Sequence, residues 1–221
     1  MAKEYLSAVE LTTGRAPDAS IIWLHGLGAD GHDFEPIVPE LRLEPLAVRF
    51  VFPHAPVRPV TLNGGLAMPA WYDISGLTSA AREDEQGIRD MAPTIEALIQ
   101  RERERHISAS RIVLAGFSQG GALALHVGLR YGETLAGIMG LSTYLPLKAQ
   151  LKLERHAANE NTPIFLAHGS HDTVLDFSFG TSSRDMLRDL GYPLEWHEYV
   201  MPHAVCPQEI ADIRTWLLGR L

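Results

Sequence analysis

The sequence predicts an α/β protein, a single domain over residues 1–221 with a central, mostly parallel sheet covered by helices on both faces. Three observations predict it. Short runs of consecutive Ile, Val, Leu and Phe recur along the chain. Stretches with apolar residues at helical spacing lie between them. Residues able to do chemistry stand just past the runs. A run apolar at successive positions is a strand buried on both sides, because side chains alternate between the faces of a sheet. Strands that alternate with helices pair in parallel through right-handed crossovers, and ligands collect at their carboxyl ends.

In chain order, the strand-like runs are residues 20–25, 48–52, 111–116, 137–142 and 163–168, and Leu194 to Tyr199 alternates like a strand. Helical faces are formed by Ile88, Met91, Ile95, Leu98 and Ile99, then by Ala122, Leu125 and Leu129, then by Met186, Leu187 and Leu190. A last helix is expected over residues 207–218. No linker, repeat or biased segment interrupts the series. Length fits one compact domain with a sizeable core.

Composition narrows the partners. The 19 Lys and Arg against 27 Asp and Glu give a net charge of -8, which disfavours a nucleic-acid backbone. The first residues lack the apolar run of a secretory signal, and no stretch is free of charge long enough to span a membrane. A cytoplasmic protein is expected. The single cysteine, Cys206, cannot form an internal disulfide and reads as free and inert.

Gly116-Phe117-Ser118-Gln119-Gly120 matches G-x-S-x-G between an apolar run and an apolar helix. In that setting a sharp strand-to-helix turn holds the serine in a strained backbone, with its hydroxyl away from the sheet. A serine hydroxyl is a weak nucleophile at neutral pH. It needs an imidazole to take its proton and a carboxylate to fix the imidazole's tautomer. The order expected on such a scaffold is serine, acid, histidine. His197 and His203 satisfy it, and His203 is preferred because it falls in the loop before the last helix, whereas His197 falls inside a strand. Asp172, in the turn that closes the run ending at His168, is the chosen acid; Asp176 is the reserve.

The chain holds residues for two competing chemistries. His168, His171 and Asp172 are ligand types for a metal, but no HExxH helix or cysteine cluster accompanies them. Gly26, Gly28 and Gly31 spell the G-x-G-x-x-G fingerprint of an NAD-linked oxidoreductase. Against it, the acidic residue expected at the end of the next strand is missing, and Pro36 and Pro39 interrupt the helix the pattern requires. The glycines of His25-Gly26-Leu27-Gly28 instead allow backbone amides to approach a developing oxyanion, the donors being Leu27 and Gln119. A binding protein on an enzyme scaffold would show a damaged site, and all three reactive residues are present.

The chain resembles the acyl-protein thioesterase, carboxylesterase and lysophospholipase family of α/β-hydrolases over nearly its whole length. The resemblance rests on residues 23–31, on Met68-Pro69-Ala70-Trp71-Tyr72-Asp73, on residues 116–121 and on His168-Gly169-Ser170-His171-Asp172. It implies the α/β-hydrolase fold and a triad of Ser118, Asp172 and His203. It also implies oxyanion donors at Leu27 and Gln119, cleavage of esters or thioesters without a cofactor, and a homodimer. The substrate it implies is a small ester, a lysophospholipid or an acylated protein. One departure stands out: the family commonly has glycine before the histidine and an acidic residue after it, where this chain has Pro202 and Ala204. The apolar, glycine-rich stretch 62–72 is expected to be a wall or flap for an acyl chain, with Met68, Trp71 and Tyr72 as substrate contacts.

Overall fold

A computed structural model describes residues 5–78 and 81–221. In chain order the strands are β1 (Ala8–Thr12), β2 (Ala19–Leu24), β3 (Val48–Pro53), β4 (Val57–Val60), β5 (Leu66–Pro69), β6 (Ile112–Phe117), β7 (Gly137–Leu141), β8 (Ile164–Gly169) and β9 (Leu194–Tyr199). The helices are α1 (Ile37–Leu41), α2 (Glu85–Glu104), α3 (Gln119–Gly128), α4 (Lys148–Glu154), α5 (Phe177–Asp189) and α6 (Pro207–Leu218). Seven strands form one sheet in the order β1-β3-β2-β6-β7-β8-β9. Only β1 runs antiparallel to its neighbour; the other pairings are parallel.

Neighbouring residues of the central strands feed two cores. Ile22 and Leu24 of β2 and Ile112 and Leu114 of β6 point into the core that α2, α3 and α5 cover. Ile21, Trp23, Val113 and Ala115 point into the core under α1 and α6. Each fully buried Leu or Ile contributes roughly 1.5–3 kcal/mol, so a one-residue slip, which would exchange the residues fitted to the two cores, is disfavoured.

Five elements escaped the sequence reading: β1, β4, β5, α1 and α4. β1 is an edge strand with half-exposed side chains, so it shows no continuous apolar run. The stretch 62–72, expected to be a wall or flap, contains β5, which pairs with β4 in an antiparallel hairpin from Val57↔Pro69 to Val60↔Leu66. Pro59 and Pro69 argue against a strand in sequence, yet prolines are tolerated in a two-stranded ribbon whose edges are free. Gly64 and Gly65 take φ of 67° and 82° at its turn, where a side chain would be strained.

The dinucleotide fingerprint is not a dinucleotide site. Residues 31–36 form turns, and α1 starts only at Ile37 and lasts five residues. The helix N-terminus that would receive a pyrophosphate directly after the glycines is therefore elsewhere.

Candidate active site

Ser118 caps α3 at φ 52° and ψ -120°, a sparsely populated conformation that persists only where the surroundings enforce it. The enforcement is visible. Its N–H donates to Leu141 of β7 at 2.8 Å, and its carbonyl accepts from the Thr143 hydroxyl at 2.6 Å. The flanking glycines are required by close approach. A Cβ on Gly116 would stand 2.3 Å from the Gly120 backbone, and one on Gly120 would stand 2.3 Å from the Leu24 carbonyl oxygen.

His203 reaches Ser118 from the loop between β9 and α6. Its Nε2 lies 3.0 Å from Ser118 Oγ, and its Nδ1 lies 2.6 Å from Asp172 Oδ2. An ionised carboxylate only accepts, so Nδ1 carries the proton and Nε2 is free to receive one from the serine. The Phe117 ring lies 4.8 Å from the imidazole, centroid to centroid. Pro202 does not disturb this pose. It is exposed, and the neighbouring amides close the loop instead: Met201 N–H donates to Tyr199 O and Ala204 N–H to Pro202 O.

Asp172 is buried in the turn after β8. Its Oδ1 accepts from the amides of Val174 at 2.9 Å and Leu175 at 2.8 Å, which leaves Oδ2 for His203. The reserve acid, Asp176, instead caps α5 by accepting from the Ser178 amide. His197 stacks on Phe165 at 4.5 Å on β9, and its Nδ1 lies 3.8 Å from Asp212. His171 is exposed. Among the described residues, no group of three or more His, Cys, Asp or Glu is placed to hold a metal.

His25 is fixed and neutral. Its Nδ1 lies 2.7 Å from Gly26 O, and its Nε2 accepts from the Ala55 amide; burial lowers its pKa. The loop it anchors passes tightly over the nucleophile: a Cβ on Gly26 would lie 3.6 Å from Ser118 Cβ. Gly28, at φ 78°, donates to Pro69 O at the end of the hairpin. The amides of Leu27, in this loop, and of Gln119, at the first position of α3, donate to no hydrogen bond among the described residues. The Gln119 side chain is locked, accepting from Trp71 N–H at 2.9 Å and donating to Tyr72 O at 2.7 Å.

Of the expected substrate contacts, Trp71 is misplaced. It is fully buried, and its indole donates to the His25 carbonyl, so it supports the site from behind. Met68 sits on the hairpin with its sulfur 3.7 Å from where a Gly28 Cβ would be. Tyr72 lines a cavity of about 360 Å³, with Ile74, Tyr144, Leu145, Leu175 and Phe179. Two of its wall residues are one hydrogen bond from the reactive groups: Tyr72 through Gln119 and Leu175 through Asp172. Tyr144, Leu175 and Phe179 were missed because they belong to loops and a helix whose spacing carries no motif.

A mostly parallel sheet with a nucleophile elbow after β6, an acid after β8 and a histidine after β9 defines an α/β-hydrolase. Residues 8–219 match the phospholipase/carboxylesterase family, and the chain belongs to it: it is an enzyme that hydrolyses carboxylic esters or thioesters. Similar proteins include acyl-protein thioesterase 1 of Yarrowia lipolytica, 40% identical over 216 residues and covering 95% of each chain. Acyl-protein thioesterase 1 of Cryptococcus neoformans var. neoformans serotype D is 38% identical over 98% of each. Among solved structures, Arabidopsis thaliana SOBER1 superposes with a TM-score of 0.87 at 30% identity, covering 91% of this chain and 98% of that one. Zea mays acyl-protein thioesterase 2 gives 0.85 at 27% identity, covering 98% and 99%.

Proposed function

We propose that Ser118, His203 and Asp172 are the catalytic triad, with the Leu27 and Gln119 amides as oxyanion donors. The chain, acting as one domain over residues 1–221, would cleave carboxylic esters by this route. The observation that carries this is the unbroken line from Ser118 Oγ to His203 Nε2 at 3.0 Å and from His203 Nδ1 to Asp172 at 2.6 Å. Ser118 Oγ attacks the acyl carbon while His203 takes its proton. The two amides stabilise the tetrahedral oxyanion, and His203 returns the proton to the departing alcohol or thiol. Water then attacks the acyl-serine carbonyl carbon while giving a proton to His203; the bond to Ser118 Oγ breaks, the acid leaves, and His203 returns the proton to Ser118 Oγ. Nothing in this sequence of steps calls on a cofactor.

The acyl chain lodges in the Tyr72, Leu175 and Phe179 cavity. The relatives' name, acyl-protein thioesterase 1, favours S-acylated protein among the substrates, and lysophospholipids share the same acyl group. No helix among the described residues is long and apolar enough to cross a membrane, in keeping with action in the cytoplasm. We also propose that two copies pair; sedimentation of a single 24.4 kDa species overturns it.

Fluorophosphonate labelling with peptide mapping tests the assignment. An adduct is expected on Ser118, and Ser118→Ala or His203→Ala should lose on the order of 10⁴-fold in turnover. A folded protein that remains unlabelled at Ser118 overturns it. Rates along an ester and thioester chain-length series then rank the substrates.

A further inference from the structure

The hydrogen bonds around Asp172 do not end at His203. His168, near the end of β8, is fully buried. Its Nε2 lies 2.9 Å from the Leu175 carbonyl oxygen and 3.4 Å from Asp172 Oδ2. A carbonyl only accepts, so Nε2 carries the proton and Nδ1 is a bare acceptor. Nδ1 has no hydrogen-bond partner among the described residues. It faces α5 so closely that a Cβ on Gly180 would stand 2.6 Å away. The ring edge of Phe177 closes another side, 5.8 Å between centroids. The titratable groups that act on this ring are Asp172, His203 and Asp176. Burial outweighs them and lowers its pKa, so the ring is neutral.

A buried, half-satisfied imidazole is costly for stability alone. What it holds is informative. Leu175, whose carbonyl takes the His168 proton, gives its own N–H to Asp172 Oδ1. The ring therefore clamps the peptide segment whose amides orient the acid, and its Nε2 edge borders the other carboxylate oxygen.

We propose that His168 is a positioning residue for the reaction: as a neutral donor it fixes the Leu175 carbonyl and thereby holds Asp172 in line with His203, while taking no proton from substrate. The proposal rests on the triad reading above.

Two substitutions of nearly equal shape separate clamping from packing. Gln in His168→Gln keeps a donor near the Nε2 position; Met in His168→Met does not. With a soluble short-chain ester, His168→Met is expected to lower kcat about ten-fold with KM changed less than about two-fold, and His168→Gln to recover most of it. The low-field proton resonance of the His203 to Asp172 hydrogen bond should shift in the Met variant and return in the Gln variant. A folded Met variant with wild-type kcat overturns the proposal, as does a Gln variant as slow as the Met variant at equal melting temperature.

The unsubstituted enzyme provides a check independent of folding. Nitrogen-15 spectra should show the His168 proton on Nε2, without titration, from about pH 5 to about pH 9; a proton on Nδ1 overturns the proposal. Ser118→Ala keeps the two readings apart. Hydrolysis that survives in that variant defeats the triad itself, whereas a dead Ser118→Ala beside a normal His168→Met defeats only the clamp.

Discussion

Tyr72 and Tyr144 share one hydrogen bond, 2.8 Å between hydroxyls, in the wall of the cavity of about 360 Å³. Burial raises both pKa values, that of Tyr144 to about 12, so the pair stays neutral. Removing one partner strands the other's polar group, at about 1–3 kcal/mol, whereas removing both is cheaper. The double variant should therefore destabilise by less than the sum of Tyr144→Phe and Tyr72→Phe. Urea unfolding of the four proteins measures the coupling. At this scale Ser118 was legible because a five-residue pattern encodes its backbone, and His203 and Asp172 followed from chain order. His168 was visible as a weak metal-ligand candidate and as the first residue of the His-Gly-Ser-His-Asp stretch, neither of which gives it a role. Its bond to Leu175 spans seven residues around a turn, and no spacing rule announces such a contact.

The strands that carry the site were legible as elements because burial on both faces leaves continuous apolar runs: those at 48–52 and 163–168 became Val48–Pro53 and Ile164–Gly169. The β4 and β5 hairpin was not, since exposed Val57 and Leu66 and its two prolines carry no core signature. Trp71 shows the same limit. An aromatic beside a glycine-rich stretch reads as a ligand contact, and only the fold reveals it packed behind Gln119. Turns impose their own demands. A Cβ on Gly169, at the end of β8, would lie 2.3 Å from the Met201 carbonyl oxygen in the loop that bears His203. Gly169→Ala must push that loop away. It is expected to cut kcat at least about 10²-fold, as small misplacements of reacting groups do, while circular dichroism still reports a folded sheet.

For the molecule as a whole, two buried groups make stability depend on pH in opposite directions. Glu209 is fully buried in the first turn of α6, where the nearby Cys206 amide only partly offsets the cost of burying its charge. Burial raises its pKa from 4.5 to about 8. The folded state keeps a proton that the unfolded chain releases, so this contribution is intact below pH 4.5 and is lost as pH rises to about 8. His126 behaves oppositely: burial lowers its pKa from 6.5 to about 3, so its contribution is intact above pH 6.5 and is lost as pH falls towards 3. Glu209→Gln cannot ionise and should flatten the alkaline decline, exceeding the wild type by a few kcal/mol above pH 8. Denaturant titrations across the pH range check it. A wild type whose stability is level between pH 5 and pH 9 would contradict the assignment.

His203, the proposed general base, follows an edge strand. Among the described residues β9 has a neighbour on one side only, β8, whereas Ser118 follows β6, which is flanked on both. A border strand can fray while the interior of the sheet stays closed. Warming should therefore silence turnover several degrees before the tryptophan signal reports global melting. Cooling from that interval should restore activity at once, making the enzyme a thermometer of its own margin.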